Sequence, residues 1–275
     1  YGVDKLHFIE SLFDSIIRQE IDDVESIIVD QNKTNEVKEL CERYQGRLNI
    51  KYVKVDIPGL SRARNVGLNH AVNKIIAFPD DDCEYPEGLL KTIKFFFEET
   101  NFDFLISILR DTQKGHKLPY SSLKGKKEIT KSDIFKSACS ASIFHLNKYK
   151  DVRFDEKLGL GAVYKSCEDF DYLIKIMNKG GRGIYDDSIF LLHPDYQNLD
   201  LQLMYKKIET NSIGHGAYFR KYFSLLWRSA IYYLLVAPIG GIILYSLKLN
   251  FVKAKIYFLL LKSRLKGFFM YSKMI

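Results

Sequence analysis

Four apolar residues, Ile75-Ile76-Ala77-Phe78, run through one proline into three consecutive aspartates, Asp80-Asp81-Asp82, and this junction restricts the folds open to the chain. Adjacent carboxylates repel one another and resist burial as ions, so the apolar run must be a core element whose end opens on solvent or a cation. A strand from Lys74 to Phe78 meets that demand. The surrounding periodicities agree: Leu6, Ile9, Leu12, Phe13, Ile16 and Ile17 recur at helical spacing, and Ile27-Ile28-Val29 forms a short apolar run that stops at Asp30. A polar helix follows over 35–44, a strand over 50–55, a loop at Pro58-Gly59 and an apolar-faced helix over 63–72. Alternating helical and strand periods predict an α/β layer fold with parallel strands.

Further along, the pattern predicts a helix over 84–99, a strand over 102–108 and a polar, Lys- and Gly-rich loop over 111–131 with the character of a mobile lid. A helix over 168–178 ends at Gly180-Gly181, and Ile189 to Leu192 reads as a last strand closing at His193. No internal repeat is visible.

Ligands of open α/β sheets gather at the carboxyl ends of strands, which singles out Asp30 and the aspartate triplet. Oxygen-rich clusters suit Mg²⁺ or Mn²⁺, which complete their shells with substrate phosphates, and strand alternation would put Asp80 and Asp82 on one side. A calcium hand is excluded because Tyr85 and Lys91 stand where Gly and Glu are required. The phosphatase pattern Asp-x-Asp-x-Thr/Val is broken by Glu84.

Just upstream, Ser61-Arg62-Ala63-Arg64-Asn65-Val66-Gly67 brings two guanidinium groups and several N–H donors to the start of a helix, an arrangement suited to a diphosphate. A plain helix start capped by Ser61 is the bland reading of the same residues. Glu168 and Asp169 open another helix, where acids either complement the helix dipole or serve as a general base toward a hydroxyl, and Gly159 and Gly161 before them suggest a flexible approach. His193 suits a metal ligand or a buried imidazole.

In order, these segments resemble family 2 glycosyltransferases with the Rossmann-like GT-A fold over roughly residues 2–195. The resemblance implies that Asp30 ends the strand that holds the nucleotide, and that Arg62, Arg64 and Asn65 lie in the Ala-Arg-Asn-x-Gly segment near it. It also implies that Asp80, Asp81 and Asp82 form the Asp-x-Asp motif for nucleotide sugar and metal. Glu168-Asp169 matches the Glu-Asp pair whose Asp is the base of inverting members, and His193 falls where some members add a metal ligand. The implied reaction is metal-dependent, with Mn²⁺ or Mg²⁺, and moves a sugar from a nucleotide donor to a glycan or lipid-linked glycan, as in bacterial surface-polysaccharide assembly. A nucleotidyltransferase of related fold and an inactive sugar- or lipid-binding module remain the alternatives from other classes. A fold of this kind opens with a strand, whereas this chain starts a few residues before a helix, so the first strand is expected to be missing.

Charge divides the chain. Residues 220–275 hold ten Lys or Arg and no Asp or Glu, whereas residues 1–219 hold 31 basic and 34 acidic side chains. The expected organisation is a catalytic domain over 1–200 and a basic, apolar helical tail over 201–275. Ser229 to Leu247 carries 19 residues without a charge between Arg220, Lys221 and Arg228 on one side and Lys248, Lys253 and Lys255 on the other. That length just spans a bilayer, but Pro238, Gly240, Gly241 and interfacial tyrosines favour two helices lying on an anionic membrane surface. The segment is too apolar for nucleic acid. Tyr1 to Glu10 has no apolar run of the signal-peptide kind, and Cys41, Cys83, Cys139 and Cys167 show no short pairing. The expected location is therefore the cytoplasmic face of the membrane, held peripherally.

Overall fold

The computed structural model describes residues 5–137, 140–195 and 200–272. Cys139 lies outside the described residues. The elements run α1 (Leu6–Ile17), β1 (Glu25–Asp30), α2 (Glu36–Tyr44), β2 (Asn49–Lys54), α3 (Leu60–His70), β3 (Ile75–Ala77), α4 (Leu89–Glu99) and β4 (Phe104–Asp111). They continue with β5 (Lys126–Glu128), α5 (Ile134–Ser137), β6 (Ile143–Leu146), α6 (Glu168–Asn178), β7 (Gly183–His193), α7 (Leu201–Lys221) and α8 (Phe223–Ile231). A π-helical turn, Tyr232–Val236, leads to α9 (Ala237–Leu247) and α10 (Phe251–Ser272).

The described residues fall into two compact units. The first holds residues up to Pro58, Arg62–Phe154 and Tyr172–Asp195, and the second holds Gly59–Ser61, Asp155–Asp171 and the chain from residue 200 onward.

In the first unit β1 and β2 pair in parallel, and a five-stranded sheet has the order β3-β6-β4-β7-β5. Only β4 and β7 are parallel within the larger sheet; β6 runs antiparallel to β3 and β4, and β5 antiparallel to β7. The expected parallel pairing is found at β1–β2 and β4–β7, while the larger sheet as a whole is mixed. Its centre is β4, where Phe104-Leu105-Ile106-Ser107-Ile108-Leu109 is buried on both faces, as a near-continuous apolar run requires. Leu89, Ile93, Phe96 and Phe97 form the buried face of α4, joining Leu105, Leu109, Phe144 and Leu191 in one core. This helix begins at residue 89 and not at 84, because Gly88 stands in the left-handed region at φ 73° and Glu84 pairs with β7 instead.

Two buried polar residues, Ser15 in α1 and Gln19 just beyond its end, fix the segment between the aspartates and α4. Ser15 Oγ accepts the Tyr85 N–H at 3.0 Å, and Gln19 Nε2 donates to the carbonyls of Tyr85 (3.2 Å) and Pro86 (3.0 Å). The 111–131 segment is no plain loop either: it contains β5, and Lys117 Nζ donates to the Leu123 carbonyl and to Tyr185 Oη, both at 2.8 Å.

The second unit is helical. Close approach of α7 and α10 depends on two glycines: a methyl on Gly216 would come within 1.9 Å of the Arg264 carbonyl oxygen, and one on Gly267 within 1.9 Å of that of Ile213. The π turn has a local cause, since Arg264 Nη1 donates to the Tyr233 carbonyl at 2.7 Å and occupies an acceptor that an α-helix would use internally.

Candidate active site

The aspartate triplet is placed by a turn and not by strand alternation. Strand β3 ends at Ala77, and the Cys83 N–H donates to the Asp80 carbonyl at 3.0 Å, folding Asp80 to Cys83 into a tight turn. Cys83 is fully buried and anchors the turn in the core. Glu84 then exchanges two backbone hydrogen bonds with Leu192, at 2.9 and 3.0 Å, which staples the turn to the last residues of β7. The neighbour of Leu192 is His193, and its Nε2 consequently stands 3.4 Å from Asp82 Oδ1.

One ligand atom each from Asp80, Asp82 and His193 lies within 4.8 Å of the others. The His193 ring is oriented from behind: its Nδ1 is 2.7 Å from the Pro194 carbonyl, which can only accept, so Nδ1 carries the proton. Nε2 then faces the Asp82 carboxylate, and a cation placed between the two would take a lone pair from each. Asp81 carries an independent sign of the local field. Its carboxyl is pushed above its ordinary value by burial and by the charges of Asp82 and Asp80. Two carboxylates and one imidazole in a negative field fit a divalent ion of the Mn²⁺ or Mg²⁺ kind.

Arg64 is nine-tenths buried, reaches Asp80 Oδ1 at 3.3 Å and lies over the Phe154 ring at 5.4 Å. Asn65 holds that ring in place, donating through Nδ2 to the Phe154 carbonyl at 3.0 Å and accepting the Phe154 N–H at 2.8 Å. The sequence reading put both residues on the nucleotide; the structure gives Asn65 a backbone clamp and Arg64 a partner in the acidic turn. Arg62 is the first residue of the first unit's part of α3 and is partly exposed.

Asp30 is also turned toward its own chain. The parallel register sets it opposite Lys54, and its carboxylate accepts from Lys54 Nζ (2.8 Å), Tyr52 Oη (2.6 Å), the Asn32 N–H (2.9 Å) and Asn32 Nδ2 (2.8 Å). Burial opposes its charge, but these donors outweigh it and hold the carboxyl below its ordinary value.

In the second unit Glu168 and Asp169 open α6 directly after Cys167, whose φ of 71° is left-handed. Glu168 is buried, whereas Asp169 is partly exposed and its Oδ1 accepts the Phe170 N–H at 2.8 Å. Gly159 is a packing glycine and not a flexible approach. A methyl there would meet Ser61 Oγ at 2.8 Å and Glu168 Cδ at 3.2 Å, in a backbone with φ 97°. Ser61 is not the helix cap; its hydroxyl donates to the Leu158 carbonyl at 2.6 Å.

The residues that sequence reasoning missed stand around Lys221. Assigned by sequence to a basic membrane flank, it lies between Asp155 Oδ2 (2.6 Å) and the fully buried Asp171 Oδ1 (2.5 Å), and Tyr222 Oη donates to the same Asp171 oxygen at 2.7 Å. Burial disfavours the ammonium, yet the two carboxylates raise its pKa above the ordinary lysine value. Asp171 is two residues beyond Asp169, so this network fixes the first turn of α6. Lys221→Met is expected to lower stability in urea melts by about 3 kcal/mol, the low end for breaking a buried pair because Lys221 keeps some solvent contact. Lys221→Arg is expected to recover most of that loss.

With this geometry in view, the sequence profile of glycosyl transferase family 2 matches residues 4–152, just over half of the chain. The chain belongs to glycosyl transferase family 2. Among its curated relatives, the minor teichoic acid biosynthesis protein GgaA of Bacillus subtilis is 26% identical over 229 residues, covering 78% of this chain and 44% of GgaA. The poly(ribitol-phosphate) β-N-acetylglucosaminyltransferase TarS of Staphylococcus aureus is 27% identical over 177 residues, covering 61% of this chain and 30% of TarS. The chain thus spans less than half the length of these relatives. Solved structures show the same GT-A fold. A TarS fragment in complex with UDP matches at TM-score 0.57 and 17% identity, over 98% of this chain and 89% of that one. The mannosyltransferase of Pyrobaculum calidifontis in complex with GDP-Man and Mn²⁺ matches at TM-score 0.65 and 15% identity, over 97% and 84%. Membership in family 2 replaces the nucleotidyltransferase reading.

Proposed function

We propose that this family 2 chain is a metal-dependent, inverting glycosyltransferase that moves a sugar from a nucleoside-diphosphate donor to a hydroxyl of a cell-surface glycan. The observation that carries the reading is the joint placement of Asp80, Asp82 and His193, held by the two-way hydrogen bonding of Glu84 to Leu192. Two of the relatives point to the acceptor class, one named for teichoic acid biosynthesis and one for transfer to poly(ribitol-phosphate), and a uridine donor accords with the UDP bound in the TarS structure.

In this reading Asp80, Asp82 and His193 Nε2 hold the cation, and the imidazole tilts the choice toward Mn²⁺ over Mg²⁺. The bound ion supplies positive charge where the departing diphosphate becomes more negative. Arg64 pairs with Asp80 and orients it, and Arg62 offers a guanidinium to a phosphate oxygen. Asp169 accepts the proton of the acceptor hydroxyl as its oxygen attacks the anomeric carbon. The bond from that carbon to the phosphate oxygen breaks in the same displacement, and the sugar leaves with inverted configuration. Product stereochemistry tests this. With an α-configured donor such as UDP-GlcNAc and a polyol-phosphate acceptor, the expected anomeric proton signal is that of a β-linkage. An α-linked product would remove Asp169 from the role of base in a single displacement.

A further inference from the structure

The helical unit exposes an apolar face that its own packing does not use. Along α8, the π turn and α9, one row of residues four apart is buried: Leu226, Ala230, Leu234 and Pro238. The row beside it, Ile231, Leu235, Ile239, Ile243 and Leu247, is exposed, between 39% at Leu235 and 80% at Leu247. No charge interrupts the stretch from Ser229 to Leu247. Phe223–Leu247 is also the one stretch among the described residues long and apolar enough to cross a membrane.

The turn that follows is unusual on its own terms. Helix α9 ends in a Schellman motif, with the Leu249 N–H on the Ser246 carbonyl at 3.0 Å and the Asn250 N–H on the Tyr245 carbonyl at 2.8 Å. The left-handed residue of this motif is ordinarily Gly, because a side chain there is strained. Here it is Leu249, with φ 51° and 75% of its surface exposed, and Phe251 beside it is 69% exposed. Nothing in the packing of the unit accounts for a strained, solvent-facing leucine. Lys248, Lys253 and Lys255 surround the turn and are exposed, as are Lys262 and Lys266 along α10. Residues 220–275 themselves contain no Asp or Glu.

We propose that the Ile231–Leu247 row and the Leu247–Phe251 turn dock on an anionic lipid surface, with the lysines at the headgroups. The face lies along the membrane and does not cross it. Helix α10 packs beside α9, with Tyr257 stacked on Tyr245 at a ring distance of 5.5 Å and closely against Gly241. A crossing α9 would therefore carry the exposed lysines of α10 into hydrocarbon.

Leu249→Gly separates this from a role in folding. Glycine relieves the left-handed strain, so the melting temperature of the full chain is expected to hold or rise. Loss of one inserted leucine is expected to weaken binding to phosphatidylglycerol-containing vesicles by about tenfold. The unaltered chain should co-sediment with those vesicles, should not with pure phosphatidylcholine, and should release as salt rises from about 0.1 M to about 0.5 M. Ile243→Gln, on the exposed row, gives an independent reading of the same loss. The proposal is overturned if the chain ignores anionic vesicles, if Leu249→Gly and Ile243→Gln bind as the unaltered chain does, or if ultracentrifugation finds a stable dimer that buries this face.

Discussion

Asp169→Asn is expected to lower kcat by about a thousandfold while leaving the donor KM within about twofold. The substitution preserves shape, and an asparagine Oδ1 can still accept the Phe170 N–H that Asp169 accepts at 2.8 Å, so the first turn of α6 stays intact. What disappears is the ability to take a proton from the acceptor. Glu168 is the internal control. It is buried, whereas Asp169 is partly exposed and open to an incoming hydroxyl. Glu168→Gln should therefore cost much less in kcat than Asp169→Asn. Steady-state kinetics with equal melting temperatures check the pair, and a reversed ranking would give the proton transfer to Glu168.

Asp82→Ala is expected to remove metal-stimulated turnover, a loss of about a thousandfold if the cation supplies the several kcal/mol typical of charge stabilisation at a leaving group. The turn itself should survive, because it is held by the Cys83 N–H on the Asp80 carbonyl, the burial of Cys83 and the backbone pairing of Glu84 with Leu192, none of which uses the Asp82 side chain. Asp80 is a less clean target. Its removal also takes a carboxylate from the buried Arg64, so a stability loss would accompany any loss of metal. Binding of Mn²⁺ followed by electron paramagnetic resonance distinguishes a missing ligand from a misfolded turn.

What the sequence made legible was local. The apolar run before Asp80, the helical spacing of Leu6 to Ile17 and the acids opening α6 each carry their structural meaning within a few residues, and these three elements lie within a residue or two of their expected places. Strand β6 was not legible. It is four residues long, contains a buried histidine, His145, and owes its existence to slots between β3 and β4 that no neighbouring residue announces. Lys221 failed for the same physical reason. A lysine beside Arg220 at the edge of an apolar stretch reads as solvated charge, and the carboxylates that bury it come from Asp155 and Asp171, about fifty residues and more upstream. The start of α4 was a different miss, since Pro86 and Gly88 were available as signals and were outweighed by the apolar residues after them. Asp30, Arg64 and Asn65, which the resemblance sets near the nucleotide, also have polar partners of their own chain within hydrogen-bond or ion-pair distance. Those partners come from residues distant in sequence and could not be read from the motifs alone.

Asp80, Asp82 and His193 are proposed to hold a divalent ion that activates a nucleotide sugar. The measurement that tests it most directly is release of nucleoside diphosphate from a panel of nucleotide sugars, with Mn²⁺ and with chelator, by the chain and by Asp82→Ala side by side. The account predicts Mn²⁺-dependent release from one donor, abolished by chelator and in Asp82→Ala. Release that proceeds equally with chelator present, or equally well in Asp82→Ala, would contradict it.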